Sequence, residues 1–224
     1  MKFVPVAGTK VLFSIWDTRV QDFEAFVKAT QHAWEKPVFE QGPTHPVVMV
    51  SWDEAKAFCA WLTTKEQHEG RLGSNQTYRL PADWEWSVAI GLEEPKDGAP
   101  NGKVEKYALA HEEAAYPWGK GKFMWPPPRG AGNYGNKVKC DKFEYTSPVG
   151  SFPANQFGLF DMSGNVWQWC EDFFDGQSGE HVLRGGSWAN AHWVTLRSSC
   201  RTSEAPEHRS DIHGFRIVLA ASAP

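Results

Sequence analysis

The chain has 224 residues, with 23 Lys+Arg against 27 Asp+Glu, a net charge of −4 and a pI near 6.1. That length can bury a real core, and the mild acidity argues against a nucleic-acid partner, which would select a basic face. Apolar runs fall far short of the ~20 residues needed to span a bilayer, no secretory leader pattern opens the chain, and four cysteines are too few for a disulfide scaffold. A protein without membrane insertion, cytoplasmic or of unknown location, is therefore expected. The unusual counts are 12 Trp, 15 Pro and 20 Gly, which point to structure held in packed loops.

In chain order, residues 2–16 read as one or two strands joined by a turn at Gly8-Thr9. Val20, Phe23, Phe26 and Val27 have helical spacing within residues 18–30, with Thr18 or Asp22 placed to cap the start. Residues 36–47 carry three prolines and a glycine and read as a loop. Ser51 with Glu54 is a capping box that opens a second helix, whose apolar face is Ala55, Phe58, Cys59 and Leu62. Residues 78–81 are extended, and Asp83 is placed to cap a third helix over residues 84–90. Residues 91–136 lose all periodicity. Either a flexible insertion or an ordered, irregular lobe fits, and Trp118 and Trp125 favour the lobe. Short strands are predicted at residues 166–169, 182–188 and 215–219. With no clear linker, residues 1–224 read as one α+β domain with short antiparallel strands.

Several phrases, in order along almost the whole chain, resemble the formylglycine-generating enzyme (sulfatase-modifying factor) superfamily. They are the segment from Val50 to Ala55, Tyr78-Arg79-Leu80-Pro81 with Glu85-Trp86, Pro117-Trp118-Gly119, and Ser147-Pro148-Val149. The segment from Gly158 to Trp169, Leu183-Arg184-Gly185-Gly186-Ser187-Trp188 and Gly214-Phe215-Arg216 complete the series. The resemblance implies a C-type lectin-like fold with two to three helices and much irregular structure. It does not settle function, because the superfamily includes copper-dependent oxidases, domains of iron enzymes and ligand-binding variable proteins of diversity-generating retroelements.

The oxidases so resembled need two redox cysteines just after the Arg-Gly-Gly-Ser-Trp strand, since thiolates bind Cu(I) and do the thiol chemistry. Residues 189–199 contain none, and Cys200 stands alone. Cys59 and Cys170 read as packing residues. Iron would ask for clustered His and carboxylate. His32, His45, His68 and His111 have no useful spacing, and the C-terminal His192, His208 and His213 show no ligand pattern. No catalytic residue and no redox cofactor are expected.

The resemblance also implies two structural Ca²⁺ sets. The first is Asp161, Gly164, Val166 and Gln168, with Gln168 standing where a Glu is common. The second is Asn133, Tyr134, Asp141 and Phe143. Side-chain and backbone oxygens of this kind suit Ca²⁺, and a hydrogen-bonded turn is the alternative in each case.

Residues 184–216 resemble the variable region of retroelement-diversified lectin-fold proteins. Such systems randomise adenines, above all in AAC codons. Asn190, His192, Val194, Thr195, Cys200, Thr202, Ser203, Ser210, Asp211, Ile212 and His213 all lie within the set reachable from AAC, whereas Trp193, Glu204 and Glu207 do not. An ordinary polar loop is the alternative. The predicted ligand-binding residues are Trp188, Asn190, His192, Trp193, Thr195, Arg197, Ser199, Cys200, Thr202, Ser203, Glu204, Glu207, His208, Ser210, Asp211 and His213. Trp188 and Trp193 would act as rigid anchors among adaptable polar contacts. Arg184, Arg201, Arg209 and Arg216 are read as structural donors. The expectation is thus a non-enzymatic binder of an unknown protein or surface ligand. The alternative is an enzyme-like or sensor domain, part of a longer kinase-linked chain, with an N-terminal fusion partner outside this sequence.

Overall fold

A computed structural model of the chain describes residues 1–92, 115–120, 125–177 and 179–221. Strands β1 (Phe3–Pro5) and β2 (Val11–Ser14) pair antiparallel across the expected turn at Gly8. The two ends of the chain meet in this sheet, because β10 (Val218–Ala221) pairs with β2 on one side and with β3 (Gln76–Arg79) on the other. A second four-stranded sheet has the order β8 (Arg201–Glu204), β7 (His181–Arg184), β6 (Trp167–Phe173), β9 (His213–Gly214). Its β6–β9 pair is parallel and the others antiparallel. Ala115–Tyr116 (β4) and Gly119–Lys120 (β5) form a minimal hairpin.

Helix α1 covers Val20–Thr30 and α2 covers Trp52–His68. The Ser51–Glu54 capping box is present, with the Ser51 amide donating to Glu54 Oε2 at 2.9 Å and the Glu54 amide donating to Ser51 Oγ at 3.2 Å. Two expected caps are corrected. Arg19, not Thr18 or Asp22, stands at the α1 N-cap, and Asp22 binds its amide and guanidinium from within the first turn. At α3 (Asp83–Ala89) the N-cap is Ala82, whose amide donates to Glu85, so Asp83 is already helical and its carboxylate pairs elsewhere.

Two cores result. Phe23, Phe26, Phe58, Trp169, Leu183 and Phe215 pack α1 and α2 on the second sheet. Phe13, Trp86, Leu159, Cys170, Val182 and Val218 fill the space around α3. Each such side chain contributes roughly 1.5–3 kcal/mol of burial. The tryptophans also tie distant segments by their indole N–H groups: Trp34 to the Val48 carbonyl (3.1 Å), Trp52 to Cys170 (2.9 Å), Trp169 to Val50 (3.0 Å) and Trp188 to Asp211 (3.1 Å). A loop-rich chain thereby gains cross-links without disulfides, all four cysteines being free thiols. The lobe expected over residues 91–136 lies partly outside the described residues. Its described parts pack Tyr116 on Trp118 (5.0 Å) and Trp118 on Tyr134 (5.6 Å), around a small cluster with Cys140 and Leu196.

Candidate functional site

The segment expected to bind ligand begins where β7 stops. Gly185 (φ 101°) and Gly186 (φ 72°) take left-handed conformations that end the strand at Arg184, so the strand predicted over 182–188 is shorter than expected. The loop predicted between Trp188 and His213 is not continuous: β8 and β9 interrupt it, and the final strand starts at Val218 rather than 215. Ordinary residues with no alternation, such as those of β8, give no strand signal on their own. They are strand because β7 offers an edge.

Within this segment the predicted residues divide into three groups. Some hold the loops. Asn190 Oδ1 accepts from the Ser187 amide (2.9 Å) and hydroxyl (2.8 Å), closing a turn. The half-buried Trp188 wedges its ring against Phe39 (5.6 Å) and Tyr145 (5.1 Å). Thr195 bonds the His192 carbonyl, and Ser203 Oγ donates to Glu180. Ser199, Cys200, Thr202, Ser210 and Asp211 are half-buried, and Cys200 packs on the first core. A second group is corrected. Arg197 is only 5% exposed and lies 4.3 Å under the Trp193 ring, and His213 is 4% exposed on β9 against Trp169. Burial, with His208 as a lesser cause, drives the His213 pKa down to about 3, and its Nδ1 has no partner among the described residues. Neither can reach a ligand at the surface. The third group faces outward: His192, Glu207 and His208 are exposed, and Trp193 and Glu204 partly so. Exposed Ala189 and Val194 adjoin them.

Buried carboxylates pin this segment to the scaffold. Glu54 receives His32 Nε2 at 2.8 Å and Arg209 Nε at 2.9 Å besides its capping bond. Burial alone would raise its pKa, but these three donors outweigh burial and hold it below the ordinary value. Asp83 pairs with Arg184 and lies 2.9 Å from Arg201 Nε, while the Arg184 guanidinium rests 4.6 Å over Trp86 and donates to the Ser198 carbonyl. The four arginines serve the structural role expected of them. No local signal marks Glu54, read as a cap, as also binding across 155 residues.

The first calcium set does not fit. Gln168 Oε1 already accepts from Trp86 Nε1 (2.8 Å) and Arg216 Nε (2.7 Å), and its Nε2 donates to the Asp161 carbonyl (2.7 Å). Gln168 has no oxygen left to offer, and the Arg216 guanidinium supplies positive charge beside Asp17 and the Phe160 and Asp161 carbonyls. Burial lifts the Asp161 carboxyl to about 6. Gly164 and Val166 stay as packing residues, a Cβ at Gly164 meeting the Asn133 carbonyl at 2.5 Å. In the second set Asp141 gathers the loop, accepting from the Tyr134 (3.1 Å) and Phe143 (2.8 Å) amides. Asn133 Oδ1 is buried with no partner among the described residues. An orphaned amide oxygen and a carboxylate are both donors of the kind a hard cation takes, so the chemistry of this set fits.

No thiol is activated. Burial pushes Cys140 up to about 12 and raises Cys59, Cys170 and Cys200 as well, so none supplies a thiolate at neutral pH. Among the described residues no three His, Cys, Asp or Glu side chains cluster as a metal site, and His111 lies outside them.

Residues 11–221 match the sulfatase-modifying factor enzyme 1-like domain. The chain belongs to that family. It is 33% identical over 191 residues to the inactive C-alpha-formylglycine-generating enzyme 2 of Bos taurus, covering 80% of this chain and 52% of the relative. It is 31% identical over 196 residues to the formylglycine-generating enzyme of Streptomyces coelicolor, covering 79% and 53%. The chain thus spans about half the length of these relatives, and the family includes both enzymes and proteins named inactive. The structure of Treponema denticola variable protein 1 superimposes with a TM-score of 0.61 at 18% identity, over 97% of this chain and 91% of that one. That likeness shows the fold, a C-type lectin-like form of the formylglycine-generating-enzyme type. Among the described residues no helix is long and apolar enough to cross a membrane.

Proposed function

We propose that this family member is a non-catalytic binding protein, which presents side chains of residues 187–212 from a rigid lectin-like scaffold. The observation that carries the reading is the thiols: oxidase chemistry needs a reactive pair, residues 189–199 hold no cysteine, and the four cysteines are free thiols whose pKa burial raises. The outward group supports the binding half. His192, Trp193, Val194, Glu207 and His208 sit on loops whose backbone is fixed from beneath by Asn190, Trp188 and the Glu54–Arg209 pair, and a rigid base with free side chains is how recognition surfaces are built. Retroelement diversification is part of the proposal. Of the positions reachable from AAC codons, all but His213 retain some exposure.

The test has two arms. Purified protein with copper, oxygen and a cysteine-containing peptide should form no aldehyde, and aldehyde formation overturns the non-catalytic reading. The coding region for residues 184–216 should have an adenine-biased near-copy beside a reverse transcriptase gene, and a complete genomic neighbourhood without one overturns diversification. The Asn133–Asp141 loop is proposed to hold a structural Ca²⁺. Chelator should lower the Tm of the native chain and leave that of Asp141→Asn unchanged, whereas no shift in the native chain removes the ion.

A further inference from the structure

Val38 is 99% exposed, although the loop that carries it is firmly held. The Trp34 indole donates to the Val48 carbonyl (3.1 Å) on one side, and Gln41 Nε2 donates to the Pro46 carbonyl (2.8 Å) and to Thr146 Oγ1 (3.0 Å) on the other. At the base of the loop Phe39 stacks on Tyr145 at 4.4 Å. A single exposed aliphatic is ordinary on a protein surface, but this one is held by a fixed loop and stands between two opposite charges. Val38 itself, with Val20, Trp34, Phe39 and the charged Lys36 and Glu40, lines a hollow of about 380 Å³. Two residues before Val38 stands Lys36, and two after stands Glu40, both exposed. Glu40 makes no ion pair among the described residues, and Lys36 holds Glu24 at 2.7 Å in an exposed pair, of a kind worth at most about 1 kcal/mol.

We propose that two copies of this chain associate through this loop about a two-fold axis, each Val38 seated in the other copy's cavity. The occupant follows from the loop itself. Knob, most of the hollow and both charges lie on one segment, so the surface complements itself, which is the requirement of an isologous contact. An axis passing beside Val38, so that each Val38 enters the other copy's hollow, brings Lys36 of each copy towards Glu40 of the other. Little ordering is needed because the loop is already fixed. One loop covers less than a standard interface, so the dimer is weak, with a Kd roughly micromolar. Phe39 touches Trp188, so the pair sets two candidate binding surfaces side by side, and a ligand with repeated epitopes would gain avidity. The proposal does not depend on the binding reading.

Sedimentation velocity of the full chain between about 1 and 200 µM tests it. A concentration-dependent dimer is expected, with Val38→Asp monomeric throughout at an unchanged Tm. Glu40→Lys, which leaves the Lys36–Glu24 pair intact, should weaken association about tenfold or more, as should Lys36→Glu. The double exchange Lys36→Glu/Glu40→Lys should restore it. A monomer at every concentration overturns the proposal, leaving the loop for a different partner. A dimer untouched by Val38→Asp, or a double exchange no better than the single ones, also overturns it.

Discussion

Glu54→Gln tests whether the tail of the candidate segment is held by charge. The wild-type carboxylate takes three donors: the Ser51 amide and Arg209 Nε, each at 2.9 Å, and His32 Nε2 at 2.8 Å. Gln keeps the shape but offers one oxygen. In its best orientation that oxygen faces Ser51 and Arg209, and the amide nitrogen faces His32. What is lost is charge assistance: a bond to a charged group contributes about 1.5–3 kcal/mol and a neutral one about 0.5–1.5. Arg209 is 42% exposed, which takes the expected loss to the lower part of that difference, about 1 kcal/mol. Urea unfolding at pH 7 measures it. The pH dependence is sharper. Because the folded pKa is depressed, the charge stabilises fully above the ordinary value of 4.5 and is lost as pH falls through the folded pKa. The Gln penalty should therefore shrink in acid as the wild-type carboxyl also becomes neutral. A loss under about 0.3 kcal/mol at pH 7, or a penalty unchanged down to the acid limit of folding, refutes the reasoning.

Three other substitutions or treatments probe the scaffold. Gln168→Leu leaves Trp86 Nε1 and the fully buried Arg216 without their shared acceptor, which should destabilise by about 3–5 kcal/mol and lower the Tm by roughly 10 °C in calorimetry; a shift below ~2 °C contradicts the network. His213 is held neutral with a folded pKa of about 3 against 6.5 unfolded, so the unfolded chain binds the extra proton between those values and stability falls as pH drops from 6.5. His213→Gln should flatten that fall, read from urea midpoints across the range, and an identical slope refutes the assignment. Native protein should react slowly with a thiol-specific disulfide reagent at neutral pH, half-buried Cys200 first. Immediate reaction of two thiols would contradict the protonated, separate state described above.

The elements legible in the sequence were those with local causes. The Ser51–Glu54 box and the spacing of Phe58, Cys59 and Leu62 placed α2, and the phrases around Gly164-Asn165 and Gly185-Gly186 announced the family because their glycines are required by the backbone: Gly185 and Gly186 turn the chain out of β7. The abundance of tryptophan likewise foretold loops tied by large side chains, and their indole bonds do so. Residues whose partners lie far along the chain were not legible. Asp83 read as a cap and instead balances Arg184 and Arg201. Arg197 and His213 read as surface residues and lie buried beneath Trp193 and beside Trp169. Gln168 read as an ion ligand and is a hydrogen-bond hub. A polar residue in an irregular segment carries no periodicity to reveal its facing. The arginine partners of Gln168, Asp83 and Glu54 lie 48 to 155 residues away, and only the tertiary structure brings those together.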